Sequence, residues 1–327
     1  MNIFICEFIT GGGMYGQELP DALVHEGDMM LAAIINDLLD ADLGNISITR
    51  DSRLEQVYKP VKQLTAGANY WNQWQEIMNE HDYTIIIAPE NDMILYKLTR
   101  MAEETTSKLL GCNSRAVKTT SSKYHTFKIL DEKSIPCVPT WYIDDNPDDN
   151  YSSWIAKPDD GVGCVGLKYI KNMTELEKLK FDSKNNGSYI IQPCMQGKPG
   201  SLSLLCNHDT ALLLGCNLQY FIIDADAGSL SGIDVNGLNE YRDVLSKFAS
   251  QIVKTISGLW GFVGIDFILT ENGPYFLEIN PRFTTSYVGL HQSLNYNPMK
   301  YLLKLVNDGR LPDMHAVEYR PVHISLI

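Results

Sequence analysis

Three oxygen-bearing side chains near the C-terminus, Asp266, Glu278 and Asn280, together with Arg282, are the residues best placed to do chemistry. They lie in Gly264-Ile-Asp-Phe-Ile-Leu-Thr-Glu-Asn-Gly-Pro-Tyr-Phe-Leu-Glu-Ile-Asn-Pro-Arg282, which reads as a β-hairpin. Glu278 and Asn280 are two apart, so on a strand both leave the same face. A three-residue loop, Glu271-Asn272-Gly273, with its glycine left-handed in the last position, would set the register. That loop pairs Thr270 with Pro274, Ile268 with Phe276 and Asp266 with Glu278. The three oxygen donors then form one patch suited to a metal ion, Mg²⁺ or Mn²⁺, shared with bridging phosphates. A two-residue Asn272-Gly273 loop would instead set Asp266 opposite Ile279 and dissolve the patch. The plain alternative is a half-exposed hairpin with polar residues on its wet face. Arg282 argues for the metal, because a fixed guanidinium beside a divalent cation neutralises a phosphoryl group in transfer.

A second stretch, Trp154-Ile-Ala-Lys157-Pro-Asp-Asp-Gly161-Val-Gly163-Cys-Val-Gly166, puts a lysine at a strand end before a glycine-spaced turn. Such a turn brings backbone N–H groups up to phosphate oxygens while the lysine supplies a point charge. A glycine-rich hairpin with a solvated lysine is the competing reading. No G-K-[ST] precedes a helix, so this is not a Walker loop. Tyr189-Ile-Ile-Gln192-Pro193-Cys194-Met195 is a strand ending at a proline. Its backbone suits a purine edge, although a strand that merely turns would look the same.

Gly11-Gly12-Gly13-Met14-Tyr15-Gly16 matches G-x-G-x-x-G after a strand. The acidic residue expected about twenty positions on should end a second strand. That spacing lands on Asp37, inside the helix-like Ala32–Leu39. The match is therefore rejected as a nicotinamide site and read as a close-approach loop at a sheet edge. The histidines show no metal spacing and no Gly-x-Ser-x-Gly elbow occurs, so no nucleophile is assigned.

These groups need a scaffold, and the composition supplies a globular one: 327 residues, 44% hydrophobic and 20% charged. The net charge of −13 argues against nucleic acid or an anionic membrane as partner. Anionic ligands must then be met by locally placed cations. The seven cysteines show no zinc spacing and suit a reducing compartment. The N-terminus lacks a basic leader pattern. A cytoplasmic location is expected.

Strand and helix alternate over the first hundred or so residues, implying a parallel sheet. Asn2–Phe8 and Tyr83–Ala88 read as buried strands, and a helix is expected through Leu39 with Gly27 as a break. Residues 154–193 read as strand, glycine loop, strand, helix and strand, compact enough for a lid. The remainder carries long β runs, a helix over Glu240–Ser257 and the hairpin. The expected division is 1–113, 114–193 and 194–327. The fold class is α/β and α+β, with a mixed sheet in the last unit.

Taken in order, Lys123, Lys157 with its glycine loop, Gln192–Met195, Asp266 and Glu278-Ile-Asn280-Pro-Arg282 resemble the ATP-grasp superfamily over about residues 114–310. The resemblance implies two subdomains that grip ATP, after an N-terminal domain that helps bind the acceptor. It implies Lys123 and Lys157 on the α/β-phosphates, Gly161 to Gly166 as a flap, and Gln192, Pro193, Cys194 and Met195 around adenine. Many members carry Glu where Gln192 stands. Asp266, Glu278 and Asn280 would ligate the metal, and Arg282 and Lys157 would be catalytic.

Glu7-Phe-Ile-Thr10-Gly-Gly-Gly-Met14, Leu19-Pro20, Glu26-Gly27 and Gly215-Cys-Asn217-Leu-Gln219 resemble the tyramine–glutamate ligase branch of methanofuran biosynthesis. That implies an ATP-dependent carboxylate–amine ligase with a small acid and a small amine as substrates. Thr10, Gly12, Gly13, Asn217 and Gln219 would touch them, and Tyr15, Tyr220 or Tyr287 would wall an aromatic amine. A homodimer is compatible with this reading. The rival readings are a nicotinamide oxidoreductase using Gly11–Gly16, an ATP-grasp ligase for another pair, and a module that binds nucleotide without ligating.

Overall fold

The computed structural model describes every residue except 57, 59–60, 146, 148–149, 162, 164, 183–188, 225–226, 315–317 and 327. Cys164, Val162 of the glycine loop, Ile327, and Asn146, Asp148 and Asp149 of the acidic turn lie outside the described residues. Among the described residues no helix is long and apolar enough to cross a membrane.

The first sheet holds β1 (Asn2–Glu7), β2 (Asn45–Asp51), β3 (Lys62–Ala66), β4 (Tyr83–Ile87) and β5 (Lys108–Leu109). Their order is β3-β2-β1-β4-β5, and every pairing is parallel. Helix α1 (Asp21–Asp40) lies between β1 and β2, α2 (Tyr70–Asn79) between β3 and β4, and α3 (Ile94–Glu103) between β4 and β5. From β1 the chain steps to one side through β2 and β3, then returns to the other side with β4. The carboxyl ends of β1 and β4 therefore flank the switch point where open α/β sheets form crevices. Helix α1 runs unbroken through Gly27, contrary to the expected break. A Cβ there would stand 3.2 Å from the Glu7 carboxylate, so this glycine is a contact site for Glu7.

After α4 (Ser114–Thr120) and α5 (Lys123–Asp131) comes a four-stranded sheet of β6 (Trp141–Tyr142), β7 (Trp154–Pro158), β8 (Lys168–Ile170) and β9 (Tyr189–Pro193). Its order is β6-β9-β7-β8, with α6 (Met173–Asp182) between β8 and β9. It packs on its own small core of Trp154, Ile170, Leu176 and Ile191.

The third sheet holds β10 (Lys198–Asn207), β11 (Thr210–Asp224), β12 (Ala227–Val235), β13 (Trp260–Thr270), β14 (Gly273–Asn280) and β15 (Val322–Ser325). Helix α7 (Arg242–Thr255) precedes β13, and α8 (Tyr287–Leu294) and α9 (Pro298–Asp308) follow β14. The order is β14-β13-β10-β11-β12-β15. All five strand pairings are antiparallel. The parallel element of the expected mixed sheet is a single bridge, Cys137 to Phe276, on the outer side of β14. There Phe276 donates to the Pro136 carbonyl and accepts from the Val138 N–H.

The first and third sheets are welded by shared cores. One contains Phe4, Trp74 and Leu98 with Leu202, Phe267 and Phe276. The other contains Ile5, Leu31 and Ile85 with Phe262, Tyr287 and Leu302. The four-stranded sheet packs on its separate core.

Candidate functional site

Register at the β13–β14 hairpin decides the site, and it differs from expectation. The turn has two residues, Glu271-Asn272, closed by Thr270 opposite Gly273 at φ +112°. Leu269 then faces Pro274, and Phe267 faces Phe276. Continued evenly, that ladder would put Asp266 opposite Leu277. A bulge at Leu277 shifts it by one residue, so Asp266 faces Glu278 and Gly264 faces Asn280. The expected loop is wrong and the expected pair still forms, because the bulge supplies the residue the loop was thought to add.

Residues directly opposite on antiparallel strands share a face. Asn217 pairs with Ser201, Ser201 with Asp266, and Asp266 with Glu278, giving one polar row across β11, β10, β13 and β14. Asp266 accepts from the Asn280 amide at 3.1 Å and the Gln219 amide at 3.4 Å. Burial, and then the Glu278 charge, push the Asp266 carboxyl well up. Burial acts on Glu278 in the same direction, but Lys123 and Lys157 outweigh it and hold that carboxyl low. Both lysines converge on Glu278 Oε2, at 3.4 Å and 3.5 Å.

Lys157 comes from β7, and Lys123 starts α5, where Ser122 caps the helix by accepting from the His125 N–H. Asp159 ties these pieces together: it accepts from the Tyr124 N–H at 2.8 Å and the Ser122 hydroxyl at 2.6 Å. Its carbonyl accepts from the Lys123 N–H, and the Lys123 ammonium donates to the Asp159 and Gly161 carbonyls. The start of the glycine loop is thus pinned to α5. Gly163 and Gly166 adopt left-handed φ of +60° and +74°, which a glycine-spaced turn requires.

Arg282 sits two residues beyond Asn280 and is held from the first sheet. Its Nε and Nη2 donate to the two Glu90 oxygens, both at 3.0 Å, and Nη1 donates to the Phe283 carbonyl at 3.1 Å. Two of its five N–H groups remain for other acceptors. Glu90, just after β4, is 192 positions away in sequence.

The other expected contacts divide. Gln219 reaches the Asp266 patch. Asn217 is fully buried, donating to Ser201 and Ser203 and accepting from the Asn236 N–H. It braces the sheet and has no exposed face to offer a substrate. Thr10 is also fully buried, and its N–H and hydroxyl both serve Glu7, at 2.5 Å and 2.6 Å. Gly12 and Gly13 lie in a buried π-helical turn, Ile9–Gly13. A Cβ on Gly12 would stand 2.2 Å from Ala66 Cβ, and one on Gly13 2.5 Å from the Phe8 ring. The close approach is real, but to protein. Tyr287 is a core residue bonded to Asp37, and the Tyr220 hydroxyl is engaged by Asp234, so neither walls the site.

At the end of β9, Gln192 is buried and donates to Thr140 at 2.9 Å, while the Cys194 N–H donates to the Ser153 carbonyl. Pro193 has no N–H and closes β9 opposite Trp154. Met195, two residues on, is partly exposed.

A cavity of about 550 Å³ opens beside Arg282. Its floor is the carboxyl ends of β1 and β4, one wall is α1, and Gly161, Gly163 and Val165 form the roof. Sequence reading found none of Glu90, Glu26 or Asp159 as functional, since each acts across long separations. The Glu26-Gly27 pair and the Asp159-Asp160-Gly161 run were the available signals.

With this geometry in place, comparisons identify the class. An ATP-grasp domain model matches residues 120–286, and a pre ATP-grasp domain model matches residues 45–117. The chain belongs to the ATP-grasp family. Among its relatives is tyramine–L-glutamate ligase of Methanocaldococcus jannaschii, 28% identical over 88% of this chain and 80% of that protein. The ligase of the same name from Methanocaldococcus fervens is 29% identical over 83% and 84%. An ATP-grasp superfamily structure from Archaeoglobus fulgidus superposes with a TM-score of 0.74 at 23% identity, covering 99% of this chain and 92% of that one. The biotin carboxylase domain of Hydrogenobacter thermophilus 2-oxoglutarate carboxylase, solved with MgADP, gives 0.75 at 14% identity, covering 97% and 72%.

Proposed function

We propose that this protein is an ATP-dependent ligase that joins a carboxylate to an amine through an acyl phosphate. The supporting observation is the meeting of Lys123 and Lys157 with Asp266, Glu278 and Asn280 beside a clamped arginine. In this reading the lysines neutralise ATP phosphates, and Met195 and its neighbours border adenine. Asp266, Glu278 and Asn280 would hold Mg²⁺. The donor set fits: two carboxylates and an amide are oxygen donors of the kind a hard cation takes. When bound, the ion would offset charge on the transferring phosphoryl group.

The chain's own residues do the rest. The two free Arg282 N–H groups steady the acyl phosphate, the Gly161–Gly166 flap excludes water, and Glu90 keeps the guanidinium oriented. Residues 1–113 supply the acceptor side, 114–193 the lid and 194–327 the metal side. The names of the two relatives support glutamate and tyramine, or a similar aryl-ethylamine, as the pair; in this reading the side-chain carboxylate of glutamate is the one joined.

The test is ADP release with Mg²⁺ over a panel of acids and amines, run beside Glu278→Ala. Glutamate with tyramine should release ADP, and the variant should lose on the order of 100-fold or more of that rate. Equal turnover by the variant would remove the metal assignment. Release with a different pair would replace the substrates and keep the class.

A further inference from the structure

The cavity beside Arg282 has an asymmetry of charge that the reaction class alone does not require. Its walls are largely apolar, with Phe8, Met14, Leu23, Met30, Ile87 and Ile94 contributing. Four acidic residues line it, Glu7, Glu26, Asp92 and Asp160, against a single cation, Arg282. That cation is already balanced by Glu90. A cleft with low-dielectric walls concentrates such a field, favouring cations and repelling carboxylates.

The four acids are not equivalent. Glu7 accepts from the Ile9 N–H, the Thr10 N–H and the Thr10 hydroxyl, so its oxygens are occupied in holding the turn after β1. Asp160 accepts from the Asp92 N–H at the outer rim. Glu26 differs: Thr285 donates to its Oε1, and Oε2 has no hydrogen-bond partner among the described residues. Leu23, Glu26 and Met30 are spaced three and four apart, so one face of α1 turns an apolar–acidic–apolar stripe into the cavity. Thr285 follows Arg282 by three residues, so the bond to Glu26 fixes this carboxylate relative to the guanidinium.

We propose that this cavity is the amine subsite, taking a primary ammonium on an aryl or alkyl arm, with Glu26 as its anchoring carboxylate. The apolar walls receive the arm, and the ammonium donates to Glu26. The proposal rests on the ligase reading for its place in a reaction, but the binding itself does not depend on turnover. It also replaces the tyrosine walls expected from sequence with Phe8, Met14 and the aliphatic side chains of α1, β4 and α3.

The experiment is calorimetric titration of the full chain with 2-phenylethylamine and with 2-phenylethanol, which has the same arm and no charge. The wild type should bind the amine on the order of 10- to 100-fold tighter than the alcohol, the value of a charge-assisted hydrogen bond. Glu26→Gln should reduce the amine to about the affinity of the alcohol. In the ADP assay the same variant should raise KM for the amine and leave KM for the acid unchanged. Equal wild-type affinity for amine and alcohol, or binding of neither, would overturn the proposal without reference to any variant. A Glu26→Gln protein that keeps the preference, or one whose defect appears in the KM of the acid, would also overturn it. Amine preference without ADP release from any pair would support the subsite and refute the ligase reading alone.

Discussion

The Glu90–Arg282 fork joins the first sheet to the residue two past the β13–β14 hairpin, and a double-mutant cycle measures what it does. Both partners are buried, with side-chain exposures of 5% and 15%. Burial works against the Arg282 charge, and the Glu90 carboxylate more than offsets it, so the guanidinium is held above its ordinary range. Removing one member of such a pair leaves the other desolvated and uncompensated, at about 3–5 kcal/mol. Glu90→Gln keeps the shape but turns an amide N–H toward one guanidinium N–H, so most of that cost should appear. Arg282→Met strands Glu90 in the same way. The double variant leaves an amide against an apolar side chain and no buried charge. Its destabilisation should fall short of the sum of the singles by about 3 kcal/mol. Urea midpoints of the four proteins give this coupling. A value within about 0.5 kcal/mol of zero, the scatter of independent sites, would refute the clamp. ADP release gives a second reading. Arg282 in Glu90→Gln retains its charge and loses its aim, and misplacement of about 1 Å costs on the order of 100-fold in rate.

Two further outcomes follow from the turn after β1. Gly12→Ala forces a side chain into φ +102° with a Cβ 2.2 Å from Ala66 Cβ, and should destabilise the protein by about 1–3 kcal/mol in urea unfolding. An unchanged midpoint would mean that the turn is not the tight contact described. Glu7 is a pH probe: burial raises its carboxyl above the ordinary value, against the pull of its Thr10 and Ile9 hydrogen bonds. A raised folded-state value means that the stability this group provides is complete below the unfolded value and fades as pH rises through the folded one. Glu7→Gln lacks that titration, so the variant should gain on the wild type as pH rises above the ordinary glutamate range. Parallel stability curves there would show that the carboxyl titrates normally.

The hairpin shows how much of the molecule could be read in the sequence. Alternating polarity over β13 and β14 located the strands, and the spacing of Glu278 and Asn280 placed both on one face. Turn chemistry misled, because Glu-Asn-Gly suits more than one loop length, and Leu277 carries no mark of a bulge. Parallel β1 and β4, helix α5 and the glycine-spaced turn were legible because local periodicity and glycine spacing encode them. Strands β3 and β12 and helix α2 went unnoticed, their patterns being short or mostly polar on one side. Long-range pairings were invisible in principle. Nothing near Glu90 names Arg282, and nothing near Asn217 says that Ser201, Ser203 and Asn236 will absorb its polar groups. Glycines 11 to 13 looked like a ligand cradle, whereas Ala66, Phe8 and Thr49 occupy the space a side chain would need.

The single bridge at Phe276 bears on how the molecule avoids sticking to its own kind. Strand β14 ends the large sheet, so its outer margin would otherwise offer a ladder of bare amide and carbonyl groups to a neighbouring chain. Pro136 and Val138 occupy both groups of the residue near its midpoint. The runs left on either side, Gly273–Tyr275 and Leu277–Asn280, are too short to template a foreign strand well, and the kink at Leu277 bends one of them. The irregularity that brings two acids together therefore also helps to keep this border inert toward aggregation.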